Sequence, residues 1–495
     1  MKTVRARPAL LSVVLALLAP AAAAAAVIEG TTRADRLRGT AKADRIDVVL
    51  GATDTVSCGK GVDVVTADLA DRIANDCEFV SRRISVDTLG SAPGQHQTEV
   101  EPSVAAWNST AVATFQVGRF RDGGAAGIGW ATSTDAGRTW RSGVLPSLTN
   151  ASSPAGDAPR ASDPVVAYDA AHGTWLIATL VLGNGYTALG ISRSVDGVSW
   201  SAPVSAARLQ TNSLAYDKEW VSCDNASASR FYGSCYLAYT DIATPRVALQ
   251  ASRDGGLTWG APVTATAAFG FEAEGALPLI QPDGALTIVF QVGDAGMYAV
   301  RSIDGGATFA PPSGIAPLRR ADQPLLRAPS LPTAAVDASG RLLVAWADCA
   351  FRPGCGGNTI VLTTSTDGST WSALKRVPGT GFDSFVPGIA ADPGVPGRIS
   401  IVTYYRNSRL CTAASCAIGA AVVSSRDGGA TWTKPQRLDA VSPRYSWLAN
   451  AGGQFVGDYV GATYAGGRFV PVFALASRPL GPGRLREYMM AASMP

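Results

Sequence analysis

An all-β fold built from repeated four-stranded units is what this sequence predicts, and three observations carry that reading. A pattern of seven or eight residues recurs six times, ending at Trp140, Trp200, Trp259, Phe309, Trp371 and Trp432. Each copy is preceded by two runs rich in Val, Ile, Ala, Tyr and Trp and bounded by Gly, Pro, Asp and Asn, which are strand signals. Residues 27–83, ahead of the first copy, follow a shorter period near nine residues. A small N-terminal repeat module followed by a long repeat domain is the expected layout.

In its fullest form the motif reads Ser425-Arg426-Asp427-Gly428-Gly429-Ala430-Thr431-Trp432. Its aspartates, Asp135, Asp196, Asp254, Asp304, Asp367 and Asp427, lie 61, 58, 50, 63 and 60 residues apart. A fixed period of this size means a repeat architecture. The chemistry is that of a turn between two strands. Asp bonds the backbone two residues on, and Gly supplies the positive φ. Ser and Thr hydroxyls satisfy further backbone groups, and the closing aromatic pins the turn to the body of the repeat. The motif resembles the Asp-box, or BNR repeat, of sialidase-like β-propellers. That resemblance implies a propeller for residues 84–495 and a structural role for the six aspartates.

In chain order, residues 1–26 read as a secretory signal. Lys2, Arg5 and Arg7 precede the apolar run Ala9 to Leu18, and Ala24-Ala25-Ala26 offers a cleavage site. No other stretch approaches the roughly 20 apolar residues of a membrane span. Without the signal, the net charge falls from +3 to 0, since three basic and no acidic residues leave. A balanced surface argues against nucleic acid or anionic membrane as the main partner. A secreted monomer is expected.

In residues 27–83 the aspartates at 35, 44, 54, 63 and 71 are each followed two positions on by Leu37, Ile46, Val56, Val65 and Ile73. This spacing resembles the calcium-binding β-roll repeat of RTX proteins, which implies Ca²⁺ as a ligand. The match is degenerate, because Arg33 and Lys42 stand where a calcium loop wants oxygen donors. A small β-roll-like module stapled by Cys58 and Cys77 is the other reading. The eight cysteines fall into close pairs: Cys58/Cys77, Cys223/Cys235, Cys349/Cys355 and Cys411/Cys416. Disulfides suit an exported chain. Zinc competes poorly, with two histidines and no C-x-x-C.

The strand pairs then run 101–107 with 111–117, 163–169 with 174–182, 218–223 with 234–241, 274–280 with 285–292, 331–337 with 341–348, and 385–391 with 398–405. A third and a fourth strand flank each box, making the four-stranded blade of a propeller. A seventh unit without a box starts at Gln454 and includes a strand near Glu487–Ala492. Ile84–Thr88 is expected to supply its missing strand and so close the ring. Seven blades are favoured, with six as the alternative.

At the starts of the inner strands lie Glu101, Asp163, Asp217-Lys218-Glu219-Trp220, Glu272, Glu274, Phe385 and Asp458-Tyr459. Second strands end at the same face with Arg119, Arg121, Asp122, Asp241, Arg246, Asp294, Arg406 and Arg409. Carboxylates, arginines and aromatics gathered at one mouth suit sugars, since aromatic faces stack on rings and paired carboxyls can cleave glycosidic bonds. The expected catalytic set is Glu219, Glu274, Asp458 and Tyr459, with Arg119, Arg246, Arg406 and Trp220 binding substrate. The sialidase resemblance implies a three-arginine clamp, an Asp acid/base and a Tyr–Glu nucleophile, for which Tyr445 also offers a phenol. The family's R-I-P motif is missing, and Glu101-Pro102-Ser103 stands in its place. A carbohydrate-directed hydrolase and a non-catalytic propeller binding a glycan or protein both stay open.

Overall fold

The computed structural model describes residues 25–495 except 409, 410, 413 and 482, and not the side chain of residue 271. The expected export signal therefore lies, but for its last two residues, outside the described residues, as does Arg409. The described chain is all-β, and its only helices are the single turns Gly270–Glu272, Pro353–Cys355 and Tyr445–Trp447. Among the described residues no helix is long and apolar enough to cross a membrane. The four cysteine pairs are disulfides, as their spacing predicts: Cys58 with Cys77, Cys223 with Cys235, Cys349 with Cys355, and Cys411 with Cys416.

Residues 27–83 coil into two parallel sheets. One holds Val27–Glu29, Arg45–Val48, Val64–Asp68 and Phe79–Arg83; the other holds Arg36–Arg38, Thr55–Ser57 and Arg72–Ile73. Two nine-residue units thus make one turn of the coil. Ile46, Val56, Val65 and Ala67 fill the interior together with Cys58 and Cys77. Among the repeated aspartates, Asp54, Asp63 and Asp71 face along the stack and accept a backbone N–H of the coil before them. Asp54 takes that of Asp35 (2.7 Å), Asp63 that of Asp44 (2.6 Å) and Asp71 that of Asp54 (2.8 Å). These carboxylates are ladder rungs that satisfy backbone donors of the coil.

The long domain is a succession of four-stranded antiparallel sheets. The first contains Gln95–Trp107, Thr110–Arg119, Ala125–Ser133 and Arg141–Val144. The second, joined to it by one pairing between Ala125 and Ala161, begins at Arg160–Asp169. Later sheets begin at Tyr216–Cys223, Ala273–Ile280, Thr333–Val336, Asp383–Ala391 and Gly461–Ala465. Each of these first strands packs on the next, and Gly461–Ala465 returns to pack on Gln95–Trp107. Second strands are buried on both faces, which is why Leu342–Asp348 reads as a nearly unbroken apolar run.

Two expectations shift here. The last sheet starts at Gly461, because Gln454–Phe455 forms a separate hairpin with Ala449–Asn450. Its fourth strand is Phe79–Arg83, which pairs Arg83 with Met490 and Ser81 with Ala492; Ile84–Thr88 does not supply it. Ile84 still bonds that sheet, its N–H donating to Met489 O (2.9 Å); beyond it Asp87 accepts the N–H groups of Leu89 and Gln97 (both 2.8 Å) and bonds His96. One strand therefore ends the coil and completes the last sheet.

The six boxes share one geometry. Asp427 Oδ1 accepts from Ala430 N (3.0 Å), Thr431 N (2.8 Å) and Ser425 Oγ (2.7 Å), while Ser425 Oγ accepts from Gly429 N (2.9 Å). Gly428 and Gly429 sit at φ 69° and 85°, open to glycine at little cost. In the first two boxes the tryptophan closes the turn, as Trp140 Nε1 donates to Gly137 O and Trp200 Nε1 to Gly197 O.

Candidate functional site

A recurring slip in the first strands builds the site. Pairing with the second strand jumps between Val100 and Ser103, Ser162 and Val165, Asp217 and Trp220, Glu274 and Leu277, and Phe385 and Gly388. The residue inside each slip has positive φ: Glu101 (54°), Asp163 (47°), Lys218 (53°), Gly275 (67°) and Val386 (47°). Pro102, Pro164 and Pro387 follow three of them and have no N–H to lose from the ladder. Left-handed non-glycine residues are strained, and such strain collects at functional sites.

The bulges and the loop before the last sheet bring one buried charge cluster together. Lys218 Nζ lies 2.5 Å from Asp458 Oδ2 and 3.7 Å from Asp163 Oδ2. Arg327 grips Asp458 with two nitrogens, Nε at 3.0 Å from Oδ1 and Nη2 on Oδ2. Arg119 lies 3.6 Å from Glu101 and donates to Gln116 Oε1 (2.6 Å), and Gln116 in turn donates to Glu101. Asp458 N–H donates to Glu101 Oε1 (3.2 Å) and Ser162 Oγ to Asp163 Oδ1 (2.8 Å). The guanidinium groups of Arg119 and Arg327 both lie over the Phe455 ring, each 4.8 Å from its centre, a favourable cation–π arrangement.

Burial and charge divide these groups into two protonation classes. Burial alone would lower the pKa of Lys218, but Asp163, Asp458, Asp217 and Glu101 outweigh it and hold the ammonium. Burial would raise Asp458, yet Lys218 and Arg327 keep it well below the usual carboxylate range. Asp217 is pushed up to about 7, first by burial and then by Asp163, to which it is hydrogen-bonded, and by Glu274. Glu101 also rises to about 7, through burial and the neighbouring Asp458. Glu219 is buried with neither oxygen hydrogen-bonded, and burial beside Asp163 drives its pKa far up.

Two cavities, of about 600 and 510 Å³, open on the cluster, and Asp217, Lys218 and Arg327 line both. Arg119 and Asp163 face the first; Glu274 and Asp458 face the second. Trp220 and Tyr459 meet edge-to-face at 5.4 Å, and the Tyr459 hydroxyl donates to Pro164 O (3.3 Å). Of the expected residues, the structure brings Glu219, Asp458, Tyr459, Trp220 and Arg119 to the cluster and puts Glu274, exposed, on the second cavity. It does not bring Arg246 or Arg406. Arg246 binds Asp241 and Thr264, and Arg406 is buried against Asp383 (2.9 Å). Neither is placed to bind a substrate at the cluster, where Lys218 and Arg327 supply the positive charge. Arg327 lies in the loop between two sheets, where a survey of strand ends does not look. Its loop is stitched to the hairpin through Arg327 N–H to Gln454 O (2.9 Å).

The cysteines stand apart from the site, and none of them lines either cavity. Cys416 is buried in the main core, where its carbonyl accepts the Tyr445 N–H (2.9 Å). Its bond to the half-exposed Cys411 ties the surface end of that loop to the core, a structural role only. Cys223 and Cys235 likewise face each other across the first two strands of one sheet, and their disulfide leaves no thiolate for a metal.

No family model matches the sequence, and no curated protein matches it. Solved structures with a similar course of the chain include a Hadza microbial sialidase, 15% identical over 70% of this chain and 67% of that one, with a TM-score of 0.43. An α-L-arabinofuranosidase from Fusarium graminearum is 15% identical over 69% of this chain and 97% of its own (TM-score 0.45). An intramolecular trans-sialidase from Ruminococcus gnavus is 16% identical over 77% and 90% (TM-score 0.36). Likenesses of this size establish no family.

Chemically, the site offers a carboxylic acid, Asp217, able to give or take a proton near neutral pH beside an ionised partner, Asp163. Arg327 and Lys218 supply fixed positive charge at the same point.

Proposed function

We propose that this protein is a secreted seven-bladed propeller with an N-terminal coil (27–83) that acts on glycans outside the cell as a glycoside hydrolase. The single observation that carries the reading is Asp217, a carboxyl held near neutrality where two cavities meet. Asp217 donates the proton to the departing glycosidic oxygen, and Glu274, facing the same cavity, is the second carboxylate such chemistry needs. Asp458 fixes Lys218 and Arg327, while Glu219 and Tyr459 back the cluster as positioning residues. A sialidase clamp needs three convergent arginines free for a carboxylate; Arg246 and Arg406 are engaged elsewhere, and the arginines that do line the cavities are already paired, Arg119 with Glu101, Arg320 with Asp294 and Arg327 with Asp458. A sugar without a carboxylate suits this site better than a sialic acid.

Non-catalytic glycan binding is the second reading, favoured by the mutual neutralisation of Asp163, Asp458, Lys218 and Arg327, which leaves a stable floor in no need of turnover. A panel of aryl glycosides and glycans separates the two. Hydrolysis that falls by about 10²-fold or more in Asp217→Asn and in Glu274→Gln, with melting temperature kept, supports the hydrolase. Glycan binding without turnover moves the assignment to the second reading. Turnover that survives both substitutions removes these residues from the chemistry.

A further inference from the structure

We infer that the site takes a polymeric, hydroxyl-rich glycan threaded through it, with sugar units bound on both sides of Asp217, and not the end of a chain in a closed pocket. This rests on reading the face as carbohydrate-directed. The geometry behind it is that Asp217, Lys218 and Arg327 line both cavities, which places them where the two adjoin. A cavity of about 300–1,000 Å³ already houses a typical small ligand, and each of the two reaches that range by itself. A single sugar at Asp217 would leave most of both arms unfilled.

The arms carry groups suited to sugar hydroxyls. On the first, Asn184 and Asn212 are exposed, and their amides make no hydrogen bond to the described protein. An amide both donates and accepts, which matches a hydroxyl. The apolar wall of that arm is Leu180 and Leu182. Tyr186 is held between Arg208, 3.6 Å from the ring centre, and Asp157, which accepts its hydroxyl (2.6 Å). On the second arm Asp322 is exposed with no ion pair, and Gln323 donates to Asp383 (2.7 Å) while its carbonyl oxygen is buried and unpartnered. Both arms are thus polar, and both are furnished with acceptors free to bond a ligand.

The test uses the full secreted chain with soluble arabinan, galactan, mannan and xylan and with end-labelled oligomers of each. For the polymer that binds, affinity should rise with oligomer length beyond a disaccharide, and the first products should be internal fragments. Asn212→Ala on one arm and Asp322→Ala on the other should each weaken the longer oligomers by about 3–10-fold, the value of one hydrogen bond. Together they should multiply, since the sites share no partner. Single sugars released from chain ends at the earliest times, with neither variant altering affinity, overturn the threaded site and leave the hydrolase standing. Length-dependent binding that both variants weaken, without any cleavage, keeps the threaded site and overturns the hydrolase. Failure to bind any of the polymers overturns both.

Discussion

Aspartate does opposite work at the rim and at the centre of this molecule. In each box it lies near the surface and is saturated by N–H and hydroxyl donors of its own turn, so that Asp304 and Asp367 are held at about 2, the first by the Thr308 hydroxyl and the second by the Thr370 N–H. At the centre Asp163, Asp217 and Asp458 are enclosed, and their charge is met by Lys218, Arg327 or a retained proton. The rim aspartates recur at a fixed period and are interchangeable. The central ones occur once each, and removing any one changes the balance for all. Repetition marks scaffolding here, and the departures from it mark the site.

The harshest way to break this comparison is to remove the central cation. Lys218→Met keeps the aliphatic stem but leaves Asp458 and Asp163 buried with less opposing charge. Losing one member of a buried pair costs about 3–5 kcal/mol. The melting temperature should drop by about 4–6 °C. Lys218→Arg should recover most of it. Scanning calorimetry of both variants is the check, and a Lys218→Met protein as stable as the parent would mean that the cluster is wet and loosely held.

Much of this was legible beforehand, for reasons that differ by region. The boxes are turns whose aspartate bonds only residues within four positions of itself, so the sequence displays that part whole. The first strands could be found from their runs, and Glu101-Pro102, Asp163-Pro164 and Val386-Pro387 already announce the slips that turn side chains inward. Arg327 and Phe455 could not be read this way. They sit in insertions between repeats and reach the centre through a contact between residues 325–327 and 454 that no local pattern encodes. Phe79–Arg83 was missed as the closing strand because it already belongs to the coil's own nine-residue rhythm.

Acid and base should separate the two populations of carboxyls. Glu101 and Asp217 are raised to about 7, so between their ordinary range near 4 and that value the folded protein holds protons the unfolded chain has released. Their contribution to stability is full at low pH and is lost as pH rises through about 7. Asp304 and Asp367 are lowered to about 2, so their contribution is full above about 4 and is lost as pH falls through 2. Urea midpoints measured from pH 2 to 9 should therefore rise and then fall, and Asp217→Asn should flatten the alkaline limb while leaving the acid limb in place. An alkaline limb unchanged in Asp217→Asn would detach that carboxyl from the titration.

The smallest effect is expected at the rim, from Asp254→Ala. Its Oδ1 accepts Leu257 N and Thr258 N (both 3.0 Å) and Ser252 Oγ (2.9 Å), and its Oδ2 takes the Thr258 hydroxyl (2.5 Å). Water can replace the carboxylate for the two exposed N–H groups, because Leu257 and Thr258 face solvent. What remains is the loss of a local cap, which costs about 1 kcal/mol. That corresponds to a fall of about 1–2 °C in a domain of this size, because the shift per kcal/mol shrinks as the chain grows. Gly256 stays anchored through its N–H to Ser252 Oγ (2.9 Å), so the turn keeps its path. Glycan binding and turnover should be unchanged once the protein is folded, because no box residue lines either cavity. A loss of binding at unchanged melting temperature would make the box a ligand site and erase the distinction between rim and centre. A loss as large as that of Lys218→Met would show instead that the box holds its sheet against the neighbouring one and is not merely a turn.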